Sequence, residues 1–123
     1  MKAKRLLHHY LPLLRPVLNG VGESLARARR RVGRIRLEFI DQRSCFICLV
    51  ESRFIIEIDR KLRGDIRKRA LLHELAHWVC IFYFDAVDHG DKWCEIVTIL
   101  GCPEEAEKYG GTPPLPIAAR NCS

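Results

Sequence analysis

The chain has 123 residues, 48% hydrophobic and 29% charged, with a formal net charge of +6 and six cysteines. That length bounds it to one domain able to bury a sizeable core. The composition excludes a disordered or fibrous chain, and no apolar run is long enough to span a bilayer.

The charge is unevenly placed. Residues 1–36 hold ten Lys or Arg and one acid, Glu23, whereas residues 37–123 hold eleven Lys or Arg and fourteen acids. A basic N-terminal third on a neutral-to-acidic body predicts a surface that faces a polyanion. Its densest piece is RARRRVGRIR, with Arg27, Arg29, Arg30, Arg31 and Arg34. A solvated helix face explains the same run.

The first 31 residues read as helical with interruptions. Pro12, Pro16 and the Asn19-Gly20 pair break the pattern into two pieces, and the second is expected to end at Gly33. The N-terminus has a little of a signal peptide's look. His8, His9, Pro12, Arg15 and Pro16 interrupt it and no clean cleavage site follows, so it is expected to belong to the fold of a cytoplasmic protein.

RIRLEFI (34–40) alternates apolar and charged residues as a half-buried strand does. The run at 44–50 and FIIEID (54–59) are strand-like too. Short connections at 41–43 and 51–52 suggest an antiparallel meander. Cys45 and Cys48 form one CxxC, but in a strand positions i and i+3 face opposite ways, which does not suit a shared metal. With no secretory signal, the cysteines are expected to be free thiols.

A helix is expected from Asp65, as N-cap, to about Phe84, and a second over about 91–100, ending at Gly101 before Pro103. Residues 104–108 suggest one further turn. The Gly/Pro-rich tail, 110–123, reads as disordered.

LLHELAHWVC (71–80) holds the chemistry. Placing two imidazoles and a carboxylate in an apolar helix costs several kcal/mol, roughly 2–7 for an unsatisfied neutral group, unless something satisfies them. His73 and His77 are i and i+4, so both imidazoles aim at one point, with Glu74 beside it. Zinc takes neutral nitrogen donors and keeps an open position for water, whose proton an adjacent carboxylate can accept. From Leu75 to Phe84 every residue except His77 is apolar or aromatic, which predicts a central, buried helix. A core helix with chance histidines is the competing explanation.

A third ligand is needed. His89 and Glu95 are the main candidates, with imidazole favoured as a common zinc donor. Asp85 and Asp88 are weaker. Tyr83, Tyr10, His8 and His9 are the open candidates for stabilising an oxyanion.

The segment LLHELAHWVCIFYFDAVDHGDKWCEIVTILG resembles the core of SprT-like (spartan-type) zinc metalloproteases. That family carries HELAH or a close variant, then a histidine in an H-G-x-x-[FW] context, here His89-Gly90-Asp91-Lys92-Trp93, then a short helix closing near a glycine, here Gly101. The preceding strands and helix fit as well, so the likeness covers about residues 20–101. It implies His73, His77 and His89 as zinc ligands and Glu74 as catalytic carboxylate. It implies cleavage of DNA-associated proteins, in a minimal form without the C-terminal zinc ribbon many members carry. Any DNA contact is then expected from the core or the basic segment. Arg67, Lys68 and Arg69, in the first turns of the zinc helix, oppose its dipole and are the other candidate phosphate contacts.

The expected architecture is α+β. A single domain of residues 1–109 has a basic helical part (1–33), a small three-stranded antiparallel sheet, the HExxH helix and a following short helix. The expected function is a Zn2+-dependent endopeptidase with a protein substrate, DNA as a further partner and no membrane contact. A non-catalytic zinc-stabilised module that binds nucleic acid or a partner is the alternative from another class. A repressor-cleaving peptidase of the ImmA type, with glutamate as third ligand, is the alternative within hydrolases.

Overall fold

A computed structural model of the chain describes residues 2–41 and 45–112, with the backbone alone for Lys2 and Phe46. The N-terminal part runs through α1 (Lys2–Tyr10), a 3₁₀ turn (Leu11–Leu14), α2 (Arg15–Gly20) and α3 (Leu25–Gly33). Three helices and a turn therefore stand where two pieces were expected. The prolines are the reason: each lies at the first positions of a new helical segment, where its missing N–H is no loss. The apolar stripe passes straight through them. Leu7, Leu11, Leu14 and Leu18, spaced by three or four, are all fully buried. Ser24 caps α3 by accepting the Arg27 N–H at 3.1 Å. Ala28 and Val32 face the core, while Arg27, Arg29 and Arg30 face water.

Three strands follow: β1 (Arg36–Ile40), β2 (Phe46–Val50) and β3 (Arg53–Asp59). The fold class is α+β, as expected, but the sheet is mixed and its order is β1-β3-β2. β2 and β3 form the expected hairpin, Ile47 opposite Ile56, across a two-residue turn in which Glu51 and Ser52 have φ of 48° and 65°. β1 pairs with β3 in parallel, Leu37 with Ile56, instead of opening an antiparallel meander. Burial explains the order. β3 carries Ile56 and Ile58, both fully buried, and takes the centre. β1 has no fully buried residue and takes an edge.

α4 (Gly64–Phe84) is the axis of the molecule, packed against α1, β2, β3 and α5 (Asp91–Ile99). Leu72, Leu75, Ala76, Val79 and Cys80 are fully buried, so the helix is enclosed along most of its length. Its N-cap is Arg63, not Asp65, which sits in the first turn where a carboxylate favours the dipole. Asp85 adopts the left-handed conformation (φ 52°, ψ 42°) and the Ala86 N–H returns to the Cys80 carbonyl at 3.1 Å. This reversal sends the chain back along α4 and delivers residue 89 beside it. α6 (Pro103–Tyr109) then packs on α5.

Cys45, Cys80, Cys94 and Cys102 are free thiols; burial pushes the Cys80 thiol up to about 12, so it is an inert core residue. Cys48 is disulfide-bonded, which departs from the expectation of free thiols throughout. From 113 onward the expected tail lies outside the described residues. Gly110 to Thr112 are described, and Thr112 takes part in the site below.

Candidate metal centre

His73 and His77 lie one turn apart on α4, and the reversal after Phe84 brings His89 against both. The Nε2 atoms converge: His77 to His89 at 3.0 Å and His89 to His73 at 3.3 Å. Among the described residues, these three are the one group of side chains placed to hold a metal ion. His77 and His89 are each 7% exposed and Glu74 is 3% exposed.

The hydrogen bonds decide which nitrogens are bare. The Nδ1 of His89 lies 3.1 Å from the Thr112 carbonyl, which can only accept, so that Nδ1 carries the proton. The Nδ1 of His73 lies 2.9 Å from a Glu105 carboxylate oxygen and donates to it. In the neutral rings both Nε2 atoms are then lone pairs, facing each other at 3.3 Å. Two facing acceptors repel unless a cation lies between them. Burial holds the His89 imidazole below the ordinary histidine value, opposed in part by the Thr112 carbonyl, and this keeps the ring in its neutral, ligating form.

The spacing fits zinc. Bonds of about 2.05 Å at a tetrahedral centre place neighbouring nitrogens about 3.3 Å apart. Three imidazoles are a donor set that a tetrahedral ion can take while a fourth position stays available to another ligand.

Trp93 forms the wall behind the ligands. It is 1% exposed, and its ring centroid lies 4.7 Å from that of His73, 5.3 Å from His77 and 4.6 Å from His89. Tyr109 sits edge-on to His73 at 4.9 Å. The Gly111 N–H donates to the His89 carbonyl at 2.7 Å, closing the end of α6 onto the site. Gly110 permits that closure: a Cβ there would stand 2.4 Å from the Ala106 carbonyl oxygen.

Of the competing ligands, Glu95 is exposed and pairs with Lys92 at 3.1 Å, and Asp85 and Asp88 are exposed. None joins the three-histidine group. Tyr83 donates to Glu23 at 2.8 Å, and Tyr10 packs against His9 and Lys68. Glu105, Tyr109 and Thr112 are the site residues that sequence reasoning missed. A lone glutamate in a short helix, a tyrosine and a threonine beside glycines carry no spacing signal.

The basic residues do not gather into one patch. Arg31 pairs with Glu23 at 2.7 Å and lies over Phe82, near the C-terminal end of α4. Arg67 lies over Phe39 of β1 and Lys68 over Tyr10 of α1, with Arg69 half-buried beside them. Residues 67 and 82 are fifteen apart on one helix, roughly 22 Å along its axis. Arg34 is exposed just past α3.

No protein-family model, no curated protein and no solved structure matches this chain. No helix among the described residues is long and apolar enough to cross a membrane.

Proposed function

We propose that the chain is a zinc-dependent endopeptidase of the SprT-like type. The observation that carries this reading is the convergence of three imidazoles, with His89 Nε2 3.0 Å from that of His77 and 3.3 Å from that of His73, and a buried carboxylate one residue from His73. When bound, zinc supplies Lewis acidity, polarising a carbonyl and lowering the pKa of water. The rest is the work of this chain's own side chains. His73, His77 and His89 hold the metal, and Glu105 and Thr112 fix two of the rings by their Nδ1 protons. Glu74 takes the proton of the attacking water and returns it to the leaving amine.

The substrate is a polypeptide, and the basic N-terminal part makes proteins held on DNA the substrate class. The ImmA-type reading needs a glutamate as third ligand, and Glu95 points to Lys92 instead. A purely structural metal site has no use for Glu74.

Protein purified without added metal should hold close to one equivalent of zinc and cleave an unfolded protein such as casein. Glu74→Gln should keep zinc and fold and lose cleavage by at least a hundredfold, because it removes the base and no ligand. A Glu74→Gln protein that cleaves at the wild-type rate sinks the mechanism; a folded protein with no affinity for zinc sinks the whole reading.

A further inference from the structure

α4 presents a second i, i+4 pair, turned about 140° from His73 and His77. This is Trp78 and Phe82, stacked at 5.4 Å with an interplanar angle of 18°. They line a cavity of about 470 Å³ together with Phe54 of β3, Arg31, Arg34 and Arg53. The volume falls within the roughly 300–1,000 Å³ of small-ligand pockets. Phe54 meets Phe82 edge-on at 6.3 Å, and the Arg31 guanidinium sits 4.9 Å from the Phe82 ring centre. Phe82 is 40% exposed, an unusual placement for a large aromatic at the end of a buried helix.

The charge around the cavity has one sign. Three arginines line it and no carboxylate does. A fourth cation stands at its edge, since Lys4 donates to the carbonyls of Gly33 and Ile35 at 3.2 and 2.5 Å. Glu23 accepts from Arg31 at 2.7 Å, and by doing so it fixes the plane of that guanidinium. Aromatic rings and a pinned guanidinium offer stacking surfaces; Arg34 and Arg53, both exposed, offer donors for an anion.

We propose that this cavity binds one nucleotide of a single-stranded nucleic acid, its base against Phe54, Phe82 and Arg31 and its phosphate on Arg34 and Arg53. A planar aromatic group with an attached anion is the ligand whose chemistry matches both halves of the lining. A strand is favoured over a free nucleotide by what lies alongside. Arg27 and Arg31 on α3 and Arg34 at its C-cap recur at helical spacing, roughly 10 Å of charge leading away from the cavity. Duplex is disfavoured, because a paired base must first leave its stack to enter. The site is on a different face of α4 from the metal centre, so its occupancy does not depend on peptidase activity.

The test uses the full chain with its metal and a fluorescein-labelled twelve-nucleotide thymidine strand. The expected result is binding at least tenfold tighter than to the matching duplex. Phe82→Leu should weaken the strand about tenfold and leave duplex binding unchanged. Arg34→Gln combined with Arg53→Gln should weaken it at least tenfold and reduce the log–log salt slope by about 0.7, the value for the one phosphate both side chains contact. Zinc content and circular dichroism should stay at wild type in all of these. Glu74→Gln should bind the strand as wild type does, which separates a failure here from a failure of the peptidase assignment. Equal affinity for an abasic strand or for duplex overturns the base-binding cavity. Unchanged binding by the double variant overturns the phosphate assignment. Thymidine monophosphate competing as well as the strand replaces the strand with a free nucleotide.

Discussion

His73 Nδ1 lies 2.9 Å from Glu105 Oε1, and the two side chains are 13% and 12% exposed. The bond joins α4 to α6 across 32 residues. A carboxylate behind a ligating imidazole fixes its tautomer, orients the ring and raises its basicity. Glu105→Ala should therefore lower zinc affinity by about 10–100-fold while leaving the chain folded. Glu105→Gln, which keeps an acceptor oxygen, should lose less. Competition with a chromophoric chelator reads both, and an affinity unchanged in Glu105→Ala removes Glu105 from the site.

His89 and Glu95 were rivals on sequence, and their surroundings now separate them. His89 is buried beside His73 and His77, and Glu95 is on the surface with Lys92. His89→Ala should bind zinc at least a hundredfold more weakly. Glu95→Ala should bind it as wild type does and lose well under 1 kcal/mol of stability, since an exposed i, i+3 pair contributes little. The reverse pattern in metal analysis would return the third ligand to Glu95.

How much of this was legible beforehand depended on whether a feature has a period or a spacing. HExxH spacing puts His73 and His77 on one helix face, whereas spacing leaves His89 and Glu95 open and only the resemblance to SprT-like proteases selects His89; the structure brings the three histidines together. The Glu51-Ser52 turn lies between two apolar runs and announces a hairpin. The place of β1 was not legible. A short connection from β1 suggests a neighbouring antiparallel strand, yet burial of Ile56 and Ile58 draws β3 into the middle and sends β1 to its far side. Glu105 was hidden for another reason: its role depends on where α6 docks, and nothing local encodes that. Where the basic runs come to lie was not legible either, since α4 carries Arg67 and Phe82 at opposite ends and each meets a different run or strand.

Glu23 gives a pH-dependent contribution to stability. Burial alone would raise its pKa, but the hydrogen bonds from Arg31 at 2.7 Å and Tyr83 at 2.8 Å outweigh that and hold it below the ordinary 4.5. A depressed carboxyl stabilises the fold fully above its unfolded value, and that stability is lost as pH falls through the folded value. At pH 7 Glu23→Gln should cost about 1–2 kcal/mol, discounted because Arg31 is partly exposed. The gap in Tm between wild type and Glu23→Gln should be constant from pH 7 to 5 and shrink below about 4.5. A gap that persists unchanged to pH 3 would show that the charge on Glu23 is not what stabilises this corner.

Arg67 is placed at a net disadvantage. Its guanidinium lies 4.1 Å from the Phe39 ring centre, and its Nε is buried with no hydrogen bond. The cation–ring contact contributes about 0.5–2 kcal/mol. Against it stand an unmet buried donor, at about 1–3 kcal/mol, and a cation in the first turn of α4, at about 0.3–1 kcal/mol. Methionine keeps the methylenes and their contact with Phe39 while removing both penalties. Arg67→Met should therefore raise stability by about 1 kcal/mol and Tm by roughly 3–5 °C for a chain of this size. A lower Tm means that Arg67 has a partner worth more than the ring. The same variant has a second readout. If Arg67 meets a phosphate, the salt slope of nucleic-acid binding should fall by about 0.7–0.9; if its burden is purely structural, Tm rises and the slope holds.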